Sequence, residues 1–317
     1  MKKIIAIIAV IACFGITEVN AQDATPKDTS WKFTGLTSLN FTQVYLNNWA
    51  AGGEQSLALT SLANLNLNYK KGNKSWTNQL DLAYGLMQQG GDEVRKTDDR
   101  IDFLSKYGIQ ANDKWYYTFL FNFKSQFAPG YNYPDDSTKI SEFMAPGYVL
   151  LSLGADYKPS DKFSAFVSPL TSKMTFVLNQ DLADAGAFGV EAAKFNAEGV
   201  KTKDGENSLI EVGAYVNLLV NVDVMENVNL KSRLELFSSY TEDPTHIDVF
   251  WENILAMRVN KYITCNITTT LIYDHDIDIQ ETKKNGEPKT DDEGNPIIGP
   301  RTQFKEVLSL GLTYNFN

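Results

Sequence analysis

The stretch Phe304-Lys-Glu-Val-Leu-Ser-Leu-Gly-Leu-Thr-Tyr-Asn-Phe-Asn317 decides what this chain folds into. Leu308, Leu310, Leu312, Tyr314 and Phe316 fall on one face of a strand, and Ser309, Gly311, Thr313 and Asn315 on the other. A period of two with an apolar face ending in aromatics suits a lipid-facing strand of a membrane barrel. It suits a soluble sandwich strand equally well, so the rest of the chain has to choose between them.

The same alternation recurs in eleven further segments: 31–46, 57–69, 75–88, 100–111, 115–127, 148–157, 162–178, 208–222, 228–240, 247–259 and 262–274. The seventh is interrupted at Pro169. After the first pair, the connections alternate between short and long. Residues 70–74, 112–114, 158–161, 223–227 and 260–261 are tight turns. Residues 89–99, 128–147, 179–207, 241–246 and 275–303 are mostly long and polar. Short turns on the periplasmic side and long loops outside are the pattern of an outer-membrane barrel, and an even strand number puts both ends of the chain at the periplasmic rim. The fold expected is therefore all-β, a closed antiparallel transmembrane β-barrel of about twelve strands over residues 31–317.

Aromatics and charge sort along the same axis. Trp31, Tyr69, Trp76, Trp115, Tyr157, Tyr262, Tyr314 and Phe316 lie beside the short turns or the termini, as a periplasmic aromatic girdle requires. Lys70, Lys71, Lys74, Lys114, Lys158 and Lys261 mark the short turns, whereas Asp92, Glu93, Asp135, Asp136, Asp291 and Asp292 crowd the loops.

The first residues read as an address. Lys2 and Lys3 precede the apolar run 4–11, and Val19-Asn20-Ala21 ends in a small residue. This predicts a secretory signal peptide over 1–21 and a short lead over 22–30, with Sec export to the outer membrane. A lipoprotein cut before Cys13, in Val10-Ile11-Ala12-Cys13, is the alternative. With cleavage after Ala21, Cys265 is the one mature thiol. The chain of 317 residues carries a formal charge of −10, and loss of Lys2, Lys3 and Glu18 leaves it near −11, which argues against nucleic acid. No mature stretch is long and apolar enough for a membrane helix, so strands must do any spanning.

The wording of the chain also resembles a known family. The first hairpin contains Gln43, Asn48, Trp49, Gly52, Gly53 and Ser56 in the order Gln-x4-Asn-Trp-x2-Gly-Gly-x2-Ser. Ser168-Pro169-Leu170-Thr171, Trp251-Glu252-Asn253 and Tyr273-Asp274 add weaker echoes. Together they resemble an outer-membrane β-barrel family of the Bacteroidota known as a domain of unknown function. The resemblance implies an outer-membrane location and no activity.

In a barrel the interior face carries the function. Inward positions read from the alternation are Asp81, Lys124, Asp156, Glu211, Lys231, Arg233, Glu235, Asp248, Glu252 and Arg258. A hydrated lumen of mixed sign passes small polar solutes if nothing fills it; the competing reading is that these charges pair and brace the barrel. The small, apolar segment 183–195 is expected to pack on the barrel mouth or fold into it. His246 and His275 share a rim near Ser238, Ser239 and Asp274, which keeps a hydrolase acting on lipid or peptide as an alternative, although no nucleophile motif is present. Asp274, Asp276 and Asp278, beside Asp291, Asp292 and Glu293, offer oxygen ligands for Ca²⁺ or simply a solvated acidic loop. We expect no catalytic residue, no metal and no cofactor. The partners expected are outer-membrane lipid and lipopolysaccharide, the barrel assembly machinery through the C-terminal strand, and, if the loops bind, a surface complex.

Overall fold

Twelve long strands follow one another around a closed ring. They are β1 (Trp31–Val44), β2 (Ser56–Lys71), β3 (Lys74–Gln89), β4 (Arg95–Gln110), β5 (Trp115–Ser125), β6 (Gly147–Ser160), β7 (Phe163–Phe176), β8 (Ser208–Met225), β9 (Val228–Ser239), β10 (Ile247–Arg258), β11 (Ile263–Tyr273) and β12 (Gln303–Phe316). The computed structural model describes residues 30–46, 54–133, 135–281 and 289–316. The expected signal peptide lies outside them, as do Asn48, Trp49, Gly52 and Gly53 of the hairpin motif. Each strand pairs antiparallel with the next, and β12 also pairs with β1, with Gly35 opposite Phe316 and Asn40 opposite Gly311. Gly311 leaves room there for the Asn40 side chain, which a Cβ would displace.

The two faces of the sheet are sorted the opposite way from a water-soluble core. Outward residues such as Phe33, Leu67, Phe119, Leu153, Leu170 and Leu310 are exposed, whereas inward Asp102, Lys106, Asp156, Asn217, Arg233 and Glu252 are buried. Exposed apolar side chains on strand after strand form a belt, far beyond the patch size a soluble monomer leaves open.

Short connections gather at one end with Trp31 and Phe316. Gly72-Asn73 and Glu226-Asn227 are two-residue hairpins. Gly72 has φ +56° and Asn227 φ +62°, the left-handed conformation such turns demand. At the other end one connection departs from expectation. β4 begins at Arg95, so the β3–β4 loop is only Gly90 to Val94, not residues 89–99. The charged run 95–100 stays in the strand because its charges are held. Lys96 pairs with Asp99 at 2.8 Å, Asp98 with Lys305 at 3.1 Å, and Asp99 accepts the N–H groups of Phe127 and Ala128.

Pro169 marks a register shift in the β6–β7 pair rather than a strand end. It donates nothing to the ladder, and Ser168 Oγ lies 2.8 Å from both the Leu153 and the Leu170 carbonyl, with one proton to donate between them. The partner residue must be Gly154, since a Cβ there would strike the Val167 carbonyl.

The long connection between β7 and β8 folds on itself. A short helix, Gln180–Asp184, is capped by Asn179, whose side chain accepts the Leu182 N–H. Ala183 and Val190 pack with Val177 and Ala145, and Leu182, Phe188 and Leu209, at the start of β8, pack against that cluster. The segment 183–195 therefore sits on the rim above β6, β7 and β8.

Candidate functional site: a divided lumen

The inward face of β4 reads Arg100, Asp102, Leu104, Lys106, and these residues reach across the barrel. Arg100 donates to Glu252 on β10, which is six places away in the ring of twelve and so diametrically opposite. Arg233 on β9 donates to Asp102 at 2.6 Å and lies 3.3 Å from Glu235, which also takes Lys124 of β5 at 2.7 Å. Phe250 of β10 packs beneath both cations, 4.3 Å from Lys124 Nζ and 5.1 Å from the Arg233 guanidinium carbon. Twelve strands about 4.8 Å apart and tilted about 40° make a round barrel roughly 24 Å across. An extended Arg bonded to an extended Glu covers only about 15 Å between Cα atoms. The bridges thus draw the walls together and form a partition.

On one side of the partition the lumen is filled. Leu104, Leu120, Phe166, Tyr215 and Phe237, from β4, β5, β7, β8 and β9, form a buried cluster with Leu150 against it. Lys106 is enclosed there with Asp156 at 3.6 Å, and donates to Asn217 at 3.2 Å. Lys158 reaches the same Asp156 at 3.1 Å from the short-turn end.

On the other side a cavity of about 410 Å³ remains. Its lining runs from Leu36 to Thr42 on β1 and from Lys305 to Thr313 on β12, with Thr60 and Asn64 of β2 and Asn266, Thr268 and Thr270 of β11. At about 3.3 Å per residue those stretches are some 20 Å or more of strand, a large part of the barrel wall. Serine, threonine and asparagine side chains stand among Leu36, Leu62, Ile254 and Val307, and apolar groups make up most of the cavity's surface. The segment 183–195 contributes nothing to this lining; it covers the filled side.

The structure distributes the residues singled out by sequence over these parts. Lys124, Arg233, Glu235 and Glu252 belong to the partition, Asp156 to the filled side, and Asp81 and Lys231 to the open cavity. Glu211 and Asp248 lie at the long-loop rim on Lys173, at 3.2 and 2.6 Å. Arg258, the exposed last residue of β10, stands opposite Thr264 at the short-turn rim and is not among the residues lining the open cavity. Gln43 and Ser56 stand at the outer ends of β1 and β2, opposite Leu57 and Val44. On the exterior near the short turns, Trp31 meets Tyr69 at 4.8 Å and Trp76 at 5.9 Å, and Trp115 meets Tyr157 at 4.9 Å. Tyr314 meets Phe316 at 5.0 Å, and Tyr262 lies under Lys261. Arg100, Asp102, Lys106 and Lys173 were missed by sequence. The alternation through 100–106 marks three of them; what hid them was inward Leu104, which breaks the polar-inside rule.

At the long-loop rim the two histidines stack, ring centroids 3.5 Å apart. His246 faces Asp243 at 3.8 Å, and His275 Nδ1 meets the Tyr273 hydroxyl at 3.3 Å. Ser238 instead donates to the Pro244 carbonyl, and Ser239 shares a hydrogen bond with Thr241. The acidic residues regroup. β11 ends at Tyr273, so Asp274, Asp276 and Asp278 do not share a strand face. Asp278 pairs into a small ribbon with Pro300, and Asp291 caps its own turn. Asp276 approaches Glu242 and Glu211 on one side and Asp248 and Asp274 on the other. Partial burial, then the charge and hydrogen bond of Asp276, raise the Glu242 carboxyl above its ordinary range. A raised folded-state value means that this loop contact is at full strength below the unfolded value and is lost as pH rises through the raised one. Amides of residues 240–246 should therefore show greater hydrogen-exchange protection in mild acid than at neutral pH, and Glu242→Gln should remove that contribution. Equal pH dependence in both proteins would refute the assignment.

A family described as "Protein of unknown function (DUF3078)" matches residues 41–131, from late β1 to just past β5. No curated protein matches the sequence. Among solved structures, the chain is similar to the translocator domain of autotransporter NalP from Neisseria meningitidis, at 12% identity and TM-score 0.34, covering 98% of this chain and 96% of that one. It is similar to the COG4313 outer membrane channel from Pseudomonas putida F1, at 10% identity and TM-score 0.38, covering 93% and 100%. The toluene transporter TodX of P. putida aligns at 10% identity and TM-score 0.32, covering 91% and 80%.

Proposed function

We propose that this chain is an integral outer-membrane protein that passes small polar solutes through the open side of its divided barrel. One observation carries the proposal: a cavity that presents hydroxyl, carboxamide and charged side chains on a partly apolar wall runs along β1, β11 and β12, inside a closed ring whose outer face is apolar. In lipid every backbone group must be paired, and a closed ring does that. In this reading the chain is exported with residues 1–21 removed, and its short turns and their lysines face the periplasm. Lipid and lipopolysaccharide surround its belt, and the assembly machinery engages β12. The Bacteroidota resemblance supports the same placement. In this reading the barrel's role is passage rather than catalysis.

Planar-bilayer recording tests the proposal. The purified protein should give small, discrete conductance steps, since only part of the lumen is open. Replacing Arg100 and Glu252 together by Ala removes the diametric bridge and should raise the step size several-fold. A wild-type protein that inserts without conducting, and a double variant equally silent, would show that the barrel is a closed structural element.

A further inference from the structure

The open cavity is unequally equipped. Each carboxylate in its lining already holds a donor: Glu252 accepts from Arg100, Asp98 faces Lys305 at 3.1 Å, and Asp81 accepts from Asn64 and from Gln79. Donors, by contrast, are left over. Arg100 Nε is buried without a hydrogen-bond partner, and so is Asn40 Nδ2, on a residue only 4% exposed. Lys231 Nζ makes no hydrogen bond and no ion pair among the described residues. Arg233 stands opposite Glu252 across the β9–β10 pair, so Lys231, two residues along on the same face, is the diagonal neighbour of the Glu252–Arg100 bridge. The facing walls supply hydroxyls from Thr42, Thr60, Thr268, Thr270, Ser309 and Thr313.

Buried donors without partners are rare because leaving them so is costly. Arg100 and Asn40, which carry two of them, line with Lys231 one space large enough for a small molecule. A carboxylate offers the acceptors they lack, and an ammonium beside a guanidinium N–H is a strong arrangement for holding one. We infer that the open side of the lumen binds a small organic acid with a hydroxylated body. Its carboxylate lies on Lys231 and Arg100 Nε, and its hydroxyls lie along the threonine and serine wall. The inference names the solute class for the passage proposed above and rests on that same cavity.

The probe is D-gluconate, with D-sorbitol as the neutral polyol of equal length and D-glucosamine as the cation. Binding is measured by equilibrium dialysis against the full chain in detergent micelles, which needs no conduction. Gluconate should bind at least about tenfold more tightly than either control, and Lys231→Gln should weaken it by about tenfold or more. Lys231→Arg should restore most of the affinity. Because Lys231 makes no hydrogen bond and no ion pair among the described residues, the variants should keep the heat-resistant folded band on gels. Equal binding of sorbitol and gluconate, no gluconate binding, or full binding by Lys231→Gln would each overturn the inference. Conductance is scored separately. Gluconate binding in a barrel that does not conduct would keep the ligand class and remove the passage, and conduction without gluconate preference would do the reverse.

Discussion

Arg233→Ala is expected to cost the barrel about 3–5 kcal/mol, the penalty for stranding a buried charge by removing its partner. The guanidinium is 3% exposed and is the cation in contact with Asp102, itself 2% exposed. Without it, Asp102 keeps a hydrogen bond from Asn122 at 2.7 Å but no ion-pair partner, while Glu235 still has Lys124. The loss therefore concentrates on one carboxylate. The matching double variant, Arg233→Met with Asp102→Leu, removes both charges and fills similar volume, so it should recover most of the stability. Urea unfolding from phospholipid vesicles, followed by tryptophan fluorescence, measures both. A single variant within about 1 kcal/mol of wild type, the range of an exposed pair, would mean that water reaches Asp102 and that the partition is not a sealed wall.

Such a test is needed because the partition is the part of the protein that local pattern conceals. Period-two alternation located all twelve strands, since burial on one face and lipid-like exposure on the other are written residue by residue along each. Turn length and aromatic placement likewise gave both ends of the barrel, because those signals are local. Pairing across the lumen is not local. Arg100 and Glu252 are 152 residues apart in sequence and meet only because the ring closes and flattens. Inward charges can brace the barrel or line a channel, and the structure divides them between both roles: Glu235 and Glu252 brace it, while Lys231 faces open space. The filled side was hidden for a different reason. Phe166, Tyr215 and Phe237 point inward, so a reader assigning every large apolar residue to lipid misplaces the plug. The β3–β4 loop is shorter than expected because Asp98 and Asp99 look like loop residues until their partners, Lys305 on β12 and the Phe127 and Ala128 amides, are known.

Leu310→Arg should separate this barrel from a water-soluble one more sharply than any lumen variant. Leu310 is 52% exposed near the middle of β12, between exposed Leu308 and Leu312 and opposite Cys265 of β11. If water bathed that face, an Arg there would be neutral in stability and would improve solubility. In lipid, an Arg near the bilayer midplane is expected to cost about 2–4 kcal/mol. The adjacent residue supplies the control. Ser309 points the other way, into the open cavity, where a long cation finds hydroxyls and water, so Ser309→Arg should cost well under half as much. One step along the strand changes the solvent, because side chains alternate between faces. Vesicle-unfolding free energies that fall in the order wild type, Ser309→Arg, Leu310→Arg would fix which face meets lipid. The reverse order would turn the barrel inside out, and equal values would place both faces in water.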